Sequence, residues 1–253
     1  MKILVVNPNT TLSMTEKIGE AARSVAAPGT EITAVSPDKG PVSIEGHYDE
    51  AYCVPGVVEQ VLAGAAEGYD GFVVACFDDP GLHSCRTAVA QPVVGICEAA
   101  MHAATMIAAS FSVVSTLARS IPVIEELGIR YGMERRMKRV WAADIPVLAL
   151  EEEGSDAKEK VRAAVLRAIE EDRSEAVILG CAGMADLTAW LTRETGVPVL
   201  DGVASAVKMA EGLVALGLGT SKVGGYASPR PKTYTGAFSQ FAPGSPTTTD
   251  DLR

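Results

Sequence analysis

Residues 69–77 (YDGFVVACF) and 174–182 (SEAVILGCA) share one pattern: an acidic residue, an apolar run long enough for a buried strand, a small residue, then a cysteine. The two cysteines, Cys76 and Cys181, lie 105 positions apart. Downstream, QPVVGICEAAMHAA from Gln91 matches VPVLDGVASAVKMA from Val197 at an offset of 106. Upstream, KILVVNPN from Lys2 matches FSVVSTLA from Phe111 at an offset near 109. Three blocks in one order at nearly constant spacing point to a duplicated α/β unit. Such a duplication delivers two thiols to the ends of equivalent strands, where they can face each other across a pseudo-twofold axis.

Periodicity places strands at 3–7, 31–35, 72–76 and 93–96, then again at 111–115, 139–141, 177–181 and 197–201. Helices are expected at 11–26, 49–67, 98–109, 121–131, 156–171, 184–194 and 204–216, with one more opening at Asp78 or Asp79 and Pro80 in its first turn. This alternation implies parallel sheets covered by helices on both faces, with binding sites at the carboxyl ends of the strands. Both cysteines stand at such ends. The stretch from Ser228, rich in Pro, Thr, Ser and Gly, reads as a surface arm or a poorly ordered tail.

At 253 residues the chain can form one large domain or two small ones sharing an interface. Hydrophobic residues make up 47% and aromatics 5%, so the core is ample and aliphatic. A net charge of −10 argues against nucleic acid or an anionic membrane as partner. An apolar run of only four residues precedes Asn7, and no apolar span approaches membrane length, so a cytoplasmic protein is expected. Five cysteines without disulfide-framework spacing fit a reducing compartment. There is no CxxC, the three histidines are scattered, and no glycine-rich phosphate loop follows the first strand. Neither a metal nor a nucleotide cofactor is therefore expected.

A thiol transfers protons well when its pKa lies near ambient pH, and a helix N-terminus favours the thiolate. Cys76 and Cys181 each precede an expected helix start. Two opposed thiols suit racemisation, which needs a base on one face of a stereocentre and an acid on the other. A single strand-end cysteine is more often packing than chemistry, and Cys53, Cys85 and Cys97, which lack the symmetry, are assigned to packing. Asn7, Pro8, Asn9 and Thr10 end the first strand, and Ser115 and Thr116 end its counterpart. These residues are either turn formers or donors facing charge that develops on a substrate carbonyl. His83 reads as a helix-surface residue, and Asp78, Asp79 and Asp186 as caps.

With these residues in view, the chain resembles the cofactor-independent aspartate/glutamate racemase superfamily, and within it the hydantoin racemase branch. The matching stretches are VNPNT, SIEGHYDE at 43–50, ACFDDPGL at 75–82, STLARSIPVIEELGIRYG at 115–132 and GCAGM at 180–184. The resemblance implies two pseudo-symmetric α/β domains with the active site in the cleft between them. The first would span 1–97, completed by the C-terminal helix and tail 204–253, and the second 98–203. It implies Cys76 and Cys181 as the proton-transfer pair, Cys76 on the D face and Cys181 on the L face. It further implies a substrate pocket drawn from Pro8, Asn9, Ile44, Phe77, Asp79, Ser115, Thr116, Ala182 and Gly183, no cofactor, a small-molecule substrate and a homo-oligomer.

Two departures from the superfamily pattern bear on substrate. Phe77 and Ala182-Gly183 stand where amino-acid racemases carry small polar residues that grip a zwitterion. Asp78 stands where the branch would be expected to carry a small residue. The resulting expectation is racemisation of 5-monosubstituted hydantoins at C5. Allantoin racemase is the nearest rival, ahead of a decarboxylase or isomerase of the superfamily and a non-catalytic two-lobe binding protein.

Overall fold

The computed structural model describes residues 1–152 and 154–243; the end of the expected arm, from 244 on, lies outside them. Strands β1 (Lys2–Val6), β2 (Glu31–Val35), β3 (Gly71–Val74) and β4 (Val93–Gly95) form one parallel sheet in the order β2-β1-β3-β4. Strands β5 (Phe111–Ser115), β6 (Met137–Ala142), β7 (Ala176–Leu179) and β8 (Val199–Asp201) form a second in the order β6-β5-β7-β8. The two sheets have the same topology, as the duplication requires.

The helices are α1 (Leu12–Val25), α2 (His47–Ala66), α3 (Leu82–Ala88), α4 (Ile96–Ile107), α5 (Ile121–Arg130), α6 (Ala157–Asp172), α7 (Thr188–Thr195) and α8 (Gly202–Ala215). The inner strands β3, β5 and β7 are buried along their whole length, which is why they read as unbroken apolar runs. Three apolar clusters follow. One lies under α2 and α3, with Phe72, Val74, Leu82 and Val89. A second lies under α6 and α7, with Val161, Val165, Leu179 and Leu191. The third joins the halves: Val5 and Val73 of the first sheet and Val113 and Ile178 of the second share it with the alanines of α4 and α8.

Small residues let α4 and α8 approach closely. A Cβ added at Gly202, where α8 begins, would lie 2.8 Å from the carbonyl oxygen of Ile96, where α4 begins. These are equivalent positions of the two repeats, and they touch.

Two helix starts differ from expectation. The third helix opens at Leu82 behind Gly81, which adopts a left-handed φ of 71°, and not at Asp78 or Asp79. The helix expected from 184 is a 3-10 turn, Ala182–Leu187, followed by α7. The arm is exposed over 228–240, half-buried over 241–243, and carries a 3-10 turn over Gly236–Phe241. Among the described residues no helix is long and apolar enough to cross a membrane.

Candidate active site

The ladder hydrogen bonds run one residue past both inner strands: the Ala75 amide donates to Val6 O at 2.8 Å and the Gly180 amide to Val114 O at 2.7 Å. Cys76 and Cys181 come next, so each thiol is released from its sheet at the same point. All five cysteines are thiols; Cys53, Cys85 and Cys97 are buried, and Cys76 and Cys181 are half-buried. The last two line one cavity between the sheets' carboxyl ends.

Of the residues expected around it, Asn9, Ile44, Phe77, Ser115, Thr116 and Ala182 line that cavity. Pro8, Asp79 and Gly183 do not line it. Gly183 lies just behind, its ideal Cβ position 3.7 Å from Cys181 Sγ. Asn7, Met14, Asp78, Ser120 and Val147 complete the wall together with Ala75 and Gly180. Asn7 was visible in the NPNT turn and Asp78 in the FDDP turn; Val147 lies beyond β6 in a segment with no sequence signal.

The NPNT turn is held by its own amides. Asn7 Nδ2 donates to Asn9 Oδ1 and to Thr15 Oγ1, both at 2.9 Å, and Asn9 Oδ1 accepts from the Thr11 amide at 2.9 Å. Thr10 N and Thr11 Oγ1 donate to the carbonyls of Pro41 and Val42, which fixes the loop carrying Ile44. That loop is joined to the other half of the molecule. Val147 N donates to Glu45 Oε1 at 3.0 Å and Arg119 Nη1 to Glu45 O at 3.3 Å. The cavity is only about 40 Å³, against some 300–1,000 Å³ for ordinary ligand sites.

Asp79 sits behind the cavity wall in a backbone conformation with φ of 44°, a left-handed value that Asp tolerates better than most residues. Its carboxylate accepts from the amides of Cys97 and Glu98 at 3.1 and 2.9 Å and from Tyr131 Oη at 2.8 Å. It therefore does cap a helix, but α4 and not α3. At the equivalent start of α8, Asp201 caps its own helix through the amides of Val203 and Ala204. Gly95 holds the corresponding place before α4, and a Cβ there would overlap the Asp79 carboxylate.

The electrostatics correct one expectation. Cys76 has no helix start directly after it, and burial followed by the nearby Asp78 pushes its thiol well above the ordinary range, against a hydrogen bond from the Asp78 amide. Charge on Cys181 contributes in the same direction, as two groups sharing one cavity would. Burial, reinforced by Glu50, raises Asp78 from 3.8 to about 7. Burial raises Asp79 to about 7 as well, although its three donors oppose it.

Both carboxyls thus hold a proton more readily in the folded chain than in the unfolded one. Their contribution to stability is complete below pH 3.8 and is lost as pH rises through about 7. Urea unfolding at pH 5.5 and pH 8 should show the chain less stable at pH 8 by about 1 kcal/mol or more, and Asp78→Asn should reduce that difference. An equal slope in the variant would contradict the assignment.

The chain belongs to the Asp/Glu/Hydantoin racemase family, whose profile matches residues 3–210. It is an enzyme of the isomerase class. Among curated proteins it is 48% identical over 248 residues to a hydantoin racemase of Pseudomonas sp. (strain NS671), covering 98% of this chain and 100% of that one. Among solved structures it is similar to the allantoin racemase from Klebsiella pneumoniae, with 53% identity, a TM-score of 0.94, and coverage of 96% of this chain and 99% of that one. The allantoin racemase from Pseudomonas fluorescens superposes with a TM-score of 0.90 at 43% identity, over 93% of this chain and 100% of that one.

Proposed function

We propose that this enzyme racemises 5-monosubstituted hydantoins without a cofactor. One cysteine thiolate removes the C5 proton, the enolate oxygen at C4 is met by donors of the cleft, and the other thiol reprotonates the opposite face. The ring carbonyl and nitrogens already acidify C5, so the chain has only to place a base and an acid and to stabilise the oxyanion. The observation carrying this reading is the placement of Cys76 and Cys181 at the same point of two topologically identical sheets, on one cavity. The relatives' names, hydantoin racemase and allantoin racemase, support the substrate class.

Asn9, Ser115 and Thr116 are proposed as oxyanion and ring-binding groups, and Ile44, Phe77 and Ala182 as walls. Pro8 and Gly183 act from behind as supports of the Asn9 turn and of Cys181. We place the working enzyme in the cytoplasm, as two lobes (1–97 with 204–253, and 98–203) in a homo-oligomer. Val223, ahead of the arm, and Phe238 within it support the last point, being 84% and 55% exposed.

The test is a side-by-side polarimetric assay of L-5-benzylhydantoin, allantoin, L-glutamate and L-aspartate with no added cofactor. Hydantoins should turn over and both amino acids should be inert, because a zwitterion beside Phe77 and Ala182 would lose several kcal/mol per ion in desolvation. Efficient racemisation of either amino acid would contradict the reading. A second reading, in which allantoin is the preferred substrate, is favoured by the polar wall of Asn7, Asn9, Asp78, Ser115, Thr116 and Ser120.

A further inference from the structure

Among the described residues, Asp78 is the one carboxylate in the wall of the thiol cavity. It is 8% exposed, and among the described residues no hydrogen bond reaches its carboxyl oxygens. A buried carboxylate left without donors is costly, and native chains keep such a group where something else supplies the donors. Its neighbour Asp79, by contrast, has three donors. Asp78 also lines a second, outer cavity of about 380 Å³, whose wall includes His47, Glu50, His83, Glu126 and Arg130. Asp78 therefore belongs to the walls of both cavities, near enough to Cys76 for its charge to act on that thiol.

A hydantoin ring with C5 between the thiols projects its 5-substituent away from the ring, and the outer cavity, which shares Asp78 with the thiol cavity, is the larger of the two. We propose that Asp78 is the specificity-determining residue of this site, its carboxylate accepting the parallel N–H groups of a ureido 5-substituent, so that allantoin is selected over hydantoins with apolar side chains. This rests on the racemase reading above and deepens it.

The geometry of the groups favours a urea. Two adjacent N–H donors match the two oxygens of a carboxylate, as a guanidinium does, and form two parallel bonds. A cation would also be attracted, to Asp78 and to Glu50 and Glu126 of the outer wall, but it must shed its water to enter and it meets Arg130 in the same wall. A neutral urea brings the donors without that cost. An apolar substituent leaves the carboxyl buried and unpaired, which penalises it in the way that a site built for a polar group rejects the analogue lacking it. The raised pKa of Asp78 fits a group whose charged form is completed only by a bound donor.

The experiment compares kcat/KM for allantoin, 5-isobutylhydantoin and 5-(4-aminobutyl)hydantoin in the unsubstituted enzyme and in Asp78→Ala. Binding is read separately as protection of the half-buried thiols from iodoacetamide by each compound. Loss of a carboxylate that accepts no hydrogen bond among the described residues leaves no orphaned donor there, so the variant should fold, which circular dichroism checks. The ratio of kcat/KM for allantoin to that for 5-isobutylhydantoin should fall roughly 10- to 100-fold in Asp78→Ala, chiefly through KM, and allantoin protection should weaken alongside it. Asp78→Asn, which keeps one acceptor, should fall between.

Equal loss on all three substrates, with unchanged ratios, would overturn the inference while leaving the racemase reading standing, since Asp78 would then act on Cys76 or on the fold. A larger effect on the aminobutyl compound than on allantoin would overturn it in favour of a cation site. If nothing is racemised yet allantoin protects only while Asp78 is present, the inference holds and the racemase reading fails. Absence of both turnover and protection overturns both.

Discussion

Cys76→Ser and Cys181→Ser should each lower kcat/KM for racemisation by about 10² to 10⁴, with circular dichroism and the unfolding midpoint close to those of the unsubstituted chain. Serine replaces one atom and preserves shape, and both positions are half-buried, so little packing is lost. What changes is acidity. A hydroxyl cannot hold the thiolate-like charge that removes a C5 proton, nor return a proton as readily from the other face. Because each turnover uses both faces, either substitution stops conversion in both directions. Retention of some tens of per cent of activity in either variant would show that one thiol is dispensable.

The second large effect concerns Asp79. Asp79→Ala should destabilise the chain by about 2–4 kcal/mol in urea unfolding. It removes the cap of α4, orphans the amides of Cys97 and Glu98, and strips Tyr131 Oη of its acceptor. All three lie at the join of the two halves, where Ala99, Ala100 and Ala104 of α4 belong to the shared core. Tyr131→Phe should cost about 1 kcal/mol, and the double variant less than the sum, because the two substitutions delete the same bond. A loss below about 0.5 kcal/mol for Asp79→Ala, smaller than that of an ordinary cap, would mean that water or a shift of α4 satisfies those amides.

The repeat made the architecture legible. Its offsets place Lys2 against Phe111 and Cys76 against Cys181, and these pairs fall at equivalent points of β1 and β5 and beyond β3 and β7. Continuous apolar runs such as FVV and AVIL announced buried parallel strands because both sheet faces are covered. The FDDP turn was misread for a local reason. Asp followed by Pro looks like the start of the next helix, whereas the left-handed backbone at Asp79 swings its carboxylate across to α4, a contact between residues 18 positions apart that no local pattern encodes.

The cavity wall divides in the same way. Residues at strand ends, such as Asn9, Ser115 and Thr116, were found from topology. Val147 and Ser120 reach the cavity only through the fold of segments without periodicity. Asp78 was noticed as a departure from the branch pattern, but its burial without donors is visible only in three dimensions.

The claim that two thiols work on opposite faces is tested most directly in D₂O. Protiated L-5-benzylhydantoin or allantoin should yield product of the opposite configuration that carries deuterium at C5 from the first turnovers, after subtraction of the uncatalysed exchange. The proton accepted by one cysteine is not the one delivered by the other, and the delivering thiol has already equilibrated with solvent. Product that retains the original hydrogen at C5 would mean that a single base carries it across, and the second cysteine would lose the part assigned to it.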